Sequence, residues 1–376
     1  MKTAAITVAV MAVAFASPAG RVFAHLGSPD LEPCLQGRED IVFFEDFEQA
    51  SYYTHWGQSS APGNVGRVGS PLFDGDWSLH IQVPQGQHTG IGWQFEFTDQ
   101  GLAEPEEIYF RYYMYLGDNW RRSAGGEIGK LPGIAGTYGV AGWGGRPSHG
   151  DDGWSARMSN RDLGAHVEPG YYCYHADMTG IYGDNWYWGG DAYLDRQRWY
   201  CIETYCKMNS ITGGEGNNDG ILRGWVDGQL VFEKSNIDFR DVDRLKIEMI
   251  WFNVYVGGTW TAEQDMDAYF DNMVIAASYI GPRADWGDAN YDGRTDGLDY
   301  NVWSLHYLQP GGWGDGNFNT DGVVDGLDYN IWSLHYEGGA GAGLPEPAAT
   351  ALLGLGGPLL LVGARRRRAA APLARN

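Results

Sequence analysis

Basic residues are scarce in this chain of 376 residues: 26 Lys and Arg stand against 48 Asp and Glu, a formal net charge of −22. Nucleic-acid binding draws on clustered Lys and Arg, so the composition argues against that partner. Cysteine is scarcer, at four residues, and two separated CxxC pairs, the spacing of a structural zinc site, are absent. Between residues 40 and 280 no long segment repeats its apolar positions at the helical period, so helical bundles and coiled coils fit poorly. Disorder fits no better, because 43% of the residues are hydrophobic and 20% charged, enough apolar side chain for a core. The length suggests two or three domains.

Aromatic and turn-forming residues are abundant, with 16 Trp, 23 Tyr and 56 Gly. They suit short strands and tight turns, with flat rings left over to stack on sugars. The acid is uneven. Residues 285–337 hold ten acids against the single Arg294, a net −9, and residues 25–284 hold 37 acids against 18 bases, a net −19. Acid concentrated in the short segment suggests metal ligation.

Both ends read as addresses. Lys2 precedes the apolar run Ala4–Ala16, and small-residue cleavage options follow at Ala16, Ala19 and Ala24. Thirteen apolar residues are too few to span a bilayer, so residues 1–24 are expected to be a secretory signal peptide. At the other end, Leu344-Pro-Glu-Pro347 leads into the apolar run Ala348–Ala364 and then Arg365–Arg368. That run sits at the lower limit for a transmembrane helix, and the arginines would hold its far end in the cytoplasm, with everything upstream exported. Over residues 344–369 the triplet, apolar helix and Arg cluster resemble a PEP-CTERM sorting signal, although Pro358 interrupts the helix. The resemblance implies an exosortase-type processing protease and a protein at the cell surface or outside it, at least transiently anchored in the membrane.

Export would place Cys34, Cys173, Cys201 and Cys206 in an oxidising compartment, allowing up to two disulfides in three pairings. Cys201 and Cys206 are an odd number apart and face opposite sides of any one regular strand. The expected pairing is Cys173 with one of them across neighbouring strands.

The sequence Gly287–Tyr307 repeats as Gly316–Tyr336 with 15 of 21 positions identical. In the first copy, oxygen side chains fall at Asp288, Asn290, Asp292, Asp296 and Asp299. In the second they fall at Asn317, Asn319, Asp321, Asp325 and Asp328. These are positions 1, 3, 5, 9 and 12 of a calcium loop, with Gly at position 6 for the turn and Asp in place of the usual Glu at position 12. Each loop runs into D-Y-N-[VI]-W-S-L-H-Y, which carries anchors at helical spacing. The pair over 285–337 resembles a type I dockerin. That resemblance implies structural calcium and a cohesin-like partner; a calcium-stiffened spacer is the plainer alternative.

Residues 40–282 carry short β-branched and aromatic runs separated by Gly, Asp, Asn and Pro, among them Ile41–Phe47, Ser78–Val83, Gly90–Phe97, Glu107–Leu116 and Lys246–Val256. Arg223–Glu233 reads as a hairpin about Asp227-Gly228, a pair that tolerates the positive φ of a type I′ turn. The pattern predicts an all-β fold, an antiparallel two-sheet sandwich. The opening F-F-E-D-F-E and closing A-Y-F-D-N-M-V-I strands resemble those of concanavalin-like jelly rolls, where such strands lie near each other.

Three segments carry candidate chemistry. Gly125–Ile134 holds a lone Lys130; Gly153–Met158 puts Ser155 and Arg157 on one strand face; Gly170–His175 does the same for Tyr172 and Tyr174, with Cys173 opposite. A groove gathering these groups suits β-elimination of a uronic-acid polysaccharide. The proton at C5 of a uronate leaves only if its carboxylate is neutralised, which Arg157 and Lys130 supply. A phenol, with a pKa of about 10, is a weak base in water, but neighbouring cations favour its ionised form. One Tyr then takes the C5 proton and protonates the O4 leaving group on the same face.

The order G-K-L-P-G, S-x-R, Y-x-Y-H, followed by R-W-Y-C-I-E-T-Y, G-W-V-D-G-Q-L-V and F-N-V-Y-V-G-G, resembles polysaccharide lyase family 14, a jelly-roll family that cleaves alginate and related polyuronates. The resemblance spans roughly residues 40–280 and implies Lys130, Ser155, Arg157, Tyr172 and Tyr174 as catalytic residues, with no cofactor required for the chemistry and an acidic polysaccharide as partner. His175 reads as an ordinary strand-end residue.

Other readings compete. Glycoside hydrolysis needs a spaced carboxylate pair, and no E-x-D-x-E strand motif occurs, though Glu127 and Asp177 are free acids. A non-catalytic cell-surface carbohydrate-binding protein is the main alternative. The net charge also opposes a polyanionic substrate at long range, although strong salt screens it beyond about 3–10 Å. Arg121, Arg122, Lys130, Arg146, Arg157 and Arg161 are expected to make the groove locally positive.

Overall fold

The computed structural model describes residues 25–58 and 61–337. The signal peptide expected at 1–24 and the sorting signal expected at 344–369 lie outside them. Among the described residues no helix is long and apolar enough to cross a membrane. The chain divides into two compact units, the larger running to Asp285 and including Asn319–Asp321, the smaller made of the rest from Trp286.

The larger unit is a sandwich of two sheets. One has nine strands, among them Ile41–Glu45, Ser78–Val83, Glu107–Leu116, Trp199–Lys207, the hairpin Gly220–Val226/Gln229–Ile237 and Met266–Ala276. The other has six, ordered Asp184–Tyr187, Val167–Tyr174, Trp154–Asp162, Gly126–Gly136, Met249–Val256 and Thr89–Glu96. The pairings are antiparallel except for the short Leu26–Gly27 strand, which runs parallel to Ile41–Glu45. The opening and closing strands do meet, with Phe44 opposite Val274. The hairpin turns at Asp227 and Gly228, at φ 49° and 79°, as the sequence predicts.

Strict alternation builds the core and the outer faces together. From the larger sheet Ile108, Phe110, Tyr112 and Met114 point inward; from the smaller, Trp154, Ala156, Met158, Tyr171, Cys173, Ile250, Phe252 and Val254 meet them. The intervening residues face out. No α-helix interrupts the described part of this unit.

The expected disulfide does not form: all four cysteines are buried free thiols. Cys173 lies in the six-stranded sheet whereas Cys201 and Cys206 lie in the nine-stranded one, so they are never neighbours within a sheet. Cys206 faces the core and Cys201, five residues earlier, the opposite side.

In the smaller unit the repeated loops lead into two helices, Gly297–His306 and Gly326–His335, each started by a capping box. Asp296 with Asp299, and Asp325 with Asp328, bond the free N–H groups of the first turn. The repeats clasp reciprocally. Trp303 Nε1 donates to Asp325 O at 2.8 Å and Trp332 Nε1 donates to Asp296 O at 2.9 Å.

Candidate active site

Three adjacent strands of the six-stranded sheet carry the candidate residues on its outer face. Arg157 lies directly opposite Tyr172, and Ser155 opposite Tyr174. A bulge around Pro132 shifts the neighbouring Gly126–Gly136 strand, so Lys130 pairs with Tyr255 on its far side. Two glycines allow this close weave: a Cβ on Gly133 would meet Arg157 Cα at 2.4 Å, and one on Gly129 would meet Tyr255 O at 1.9 Å.

The strands floor a groove of about 720 Å³. Lys130, Arg157, Tyr172 and Tyr174 line it, with Trp251, Asn253 and Tyr255 from the Met249–Val256 strand and Trp143 and Tyr182 from flanking loops. Ser155 does not line it. Its hydroxyl is buried and donates to Gly142 O at 2.6 Å, supporting the loop whose Gly145 N–H donates to the Tyr174 oxygen at 3.2 Å. Ser155 thus bears on the groove only through that loop. His175 also stands apart, its Nε2 2.9 Å from the Asp184 carboxylate.

Lys130 and Arg157 are both buried, yet held differently. Lys130 Nζ bonds Glu127 Oε1 at 2.5 Å and sits 3.8 Å from the Tyr172 ring centroid. Burial lowers its pKa, and the Glu127 carboxylate opposes that shift. Arg157 forms no ion pair among the described residues. Its Nη1 donates to Asn253 Oδ1 at 3.1 Å, its Nε has no partner, and its guanidinium lies 4.5 Å from the Trp251 ring centroid. Burial pushes it down to about 10.

The two phenols meet edge to face, ring centroids 5.5 Å apart. Tyr172 oxygen accepts the Gly183 N–H at 3.1 Å. Burial raises its pKa, and a hydrogen bond to Tyr174 raises it further, so the Tyr172 phenol keeps its proton. The site therefore offers an uncompensated guanidinium, a paired ammonium and two hydroxyls on one floor.

Of the six bases expected to make the groove locally positive, two stand in it. Arg121 pairs with Asp118, Arg161 with Glu168, Arg122 packs on Trp260 and Arg146 on Trp143; only Lys130 and Arg157 of the six line the groove. Sequence reasoning passed over Trp251, Asn253 and Tyr255, although their alternation along a predicted strand marks one face. Trp143 and Tyr182 stand on loops, where no periodicity points to them.

The sequence pattern of the family described as polysaccharide lyase 14 matches residues 74–273. The chain belongs to polysaccharide lyase family 14. Membership makes it a polysaccharide lyase. The lyase is similar to the solved alginate lyase Aly36B, at 22% identity over 58% of this chain and 89% of that one, with a TM-score of 0.46. It is similar also to alginate lyase vAL-1 from Chlorella virus, at 18% identity over 57% and 89%, TM-score 0.45. A third is endo-β-1,4-glucuronan lyase from the fungus Trichoderma reesei, at 16% identity over 63% and 96%, TM-score 0.44. No curated protein sequence matches the lyase.

Proposed function

We propose that this lyase is exported and cleaves a uronic-acid polysaccharide, alginate or glucuronan-like, by β-elimination. One observation carries the reading: Arg157 is a buried cation facing the groove with no acidic partner among the described residues. A buried charge left unpaired is costly, and a uronate carboxylate is the anion that would complete it. Arg157 binds that carboxylate and stabilises the charge that spreads into it as C5 loses its proton. As the Tyr174 phenol gives its own proton to O4, its oxygen takes the proton from C5, the C4–C5 double bond forms and the C4–O4 bond breaks. Lys130, over the Tyr172 ring, adds positive potential, and Ser155 holds the Gly142 loop behind Tyr174.

The test is ultraviolet absorbance of the 4,5-unsaturated uronate during incubation with alginate, glucuronan and pectate. Hydrolysis creates no such chromophore. A rising trace, weakened about 10²–10³-fold in Arg157→Ala, is expected, in line with loss of a key electrostatic contact. A flat trace on every polyuronate defeats the reading.

For the smaller unit the proposal is a dockerin-like calcium pair that attaches the enzyme to a cohesin-like partner. The donors are hard oxygens of the kind calcium takes. Asp288, Asp299, Asn317 and Asp328 are buried, and Asn317 Oδ1 is a buried acceptor with no hydrogen-bond partner. Burial and the nearby Asp299 push Asp288 up to about 6, a strain that a cation relieves. Against this stands the finding that no three His, Cys, Asp or Glu among the described residues are grouped to hold a metal. Several carboxylates instead accept backbone N–H groups, as Asp299 Oδ1 does from Ala289 and Asn290. Calcium would draw on Asp288, Asn290, Asp292, Asp296 and Asp299 in the first loop and the matching five in the second. The proposal extends to a sorting tail processed by an exosortase-type protease, with the enzyme at the cell surface or outside.

A further inference from the structure

A second groove, of about 520 Å³, opens on the outer face of the nine-stranded sheet, on the side of the sandwich opposite the active site. Its size falls within the range of about 300–1,000 Å³ usual for ligand sites. Nothing in the elimination chemistry uses it.

Tyr115 and Tyr269 stand on its floor, and Trp199 continues their row beyond it. Tyr269, Tyr115 and Trp199 occupy directly paired positions on three adjacent strands. Tyr115 and Tyr269 meet edge to face with centroids 5.5 Å apart, and Trp199 continues the row 5.6 Å from Tyr115. All three are half-buried, so each leaves part of its ring accessible on a rigid sheet. Strands lie about 4.8 Å apart, close to the length of one pyranose unit, so a bound chain meets one tyrosine by its face and the next by its edge. The C–H faces of a pyranose are apolar and rest on such rings, while its equatorial hydroxyls reach sideways.

Hydrogen-bonding groups stand at the sides. Gln197 is exposed on the rim, and Gln264 Nε2 donates to Asn119 O at 2.9 Å, which holds the amide in place. Charges in this groove are already satisfied, unlike that of Arg157 in the active site. Arg121 pairs with Asp118 at 2.6 Å, and Asp267 accepts from His80 at 2.7 Å and from Asn119 at 2.7 Å. A uronate would find no free cation here and would face two carboxylates.

We infer that this groove binds a neutral glycan chain that packs on Tyr115 and Tyr269. The two grooves lie on opposite faces, so the enzyme holds a neutral matrix polysaccharide on one side while cutting a second polymer on the other. The inference stands independently of which polymer is cut.

Calorimetric titration of the full chain with β-1,4-linked glucose, mannose and xylose hexasaccharides, and with a uronate hexasaccharide, tests it. At least one neutral hexasaccharide is expected to bind equally well to the unaltered chain and to Arg157→Ala. Tyr115→Ala is expected to weaken that binding about tenfold or more, the loss of roughly one strong contact. Gln197→Trp, at an exposed position, fills the groove and abolishes binding, and a native circular-dichroism spectrum shows that it is folded, so the test survives a poorly folded Tyr115→Ala. Binding of none of the neutral hexasaccharides overturns the inference, as does binding that persists in Gln197→Trp or disappears in Arg157→Ala. Uronate binding that survives Arg157→Ala but not Gln197→Trp overturns the assignment of a neutral ligand.

Discussion

The ammonium of Lys130 stands 3.8 Å from the centre of the Tyr172 ring, on the strand next but one to it in the sheet. The cation lies over the negative face of the ring instead of beside its hydroxyl. Tyr172 thereby anchors Lys130 in the groove, and its own phenol, raised by burial and by bonding Tyr174, stays protonated.

The tyrosines should therefore differ. Tyr174→Phe is expected to lower kcat by about 10²–10⁴-fold, the usual contribution of a general acid–base group. Tyr172→Phe keeps the ring under Lys130 and should cost less. Initial rates from ultraviolet absorbance check this, and equal losses would remove the assignment of the proton to Tyr174.

Lys130 is expected to set the alkaline limit of activity. Burial lowers its pKa, so its charge is lost at a lower pH than for an exposed lysine, and Glu127 opposes that loss. Glu127→Gln should move the alkaline limb of the kcat/KM profile to lower pH, whereas Lys130→Arg, which does not titrate in this range, should move it higher. Profiles that superimpose would show that Lys130 is a bystander.

Three buried carboxylates make folding sensitive to pH. Burial pushes Glu203 up to about 7 and Glu45 and Asp271 up to about 8. Each binds its proton more tightly folded than unfolded, so its contribution is complete below about pH 4 and is lost as pH rises towards 8. Stability measured by denaturant should fall across that window. Glu203→Gln, which mimics the protonated acid, should flatten the fall by an amount on the order of 3 kcal/mol. No change in slope would show that Glu203 ionises alike in both states.

Calcium should raise the unfolding temperature of the smaller unit, and a chelator should reverse it. Trp303 and Trp332 each donate to a loop carbonyl, so their fluorescence should report the change. Asp288→Ala together with Asn317→Ala should abolish it. Calcium-independent melting and fluorescence in the intact chain would rule out the loops as calcium sites.

The secondary structure and the reactive strands were legible from local pattern. Side chains alternate along a strand whatever the strand packs against, so Ser155 with Arg157, and Tyr172 with Tyr174, had to share faces. The repeated loops likewise announced the two helices that follow them. Which face pointed to solvent, and what covered it, depended on packing between distant segments. Ser155 shares the face of Arg157, yet the Gly142 loop covers it and turns it into a support. Arg121, Arg146 and Arg161 cluster with Lys130 in sequence, but local acids or aromatic rings claim them. Cys173 and Cys206 both face the core from different sheets, a separation invisible in their spacing. The row formed by Tyr269, Tyr115 and Trp199 joins residues up to 154 positions apart, and only strand order, set by long-range pairing, brings them side by side.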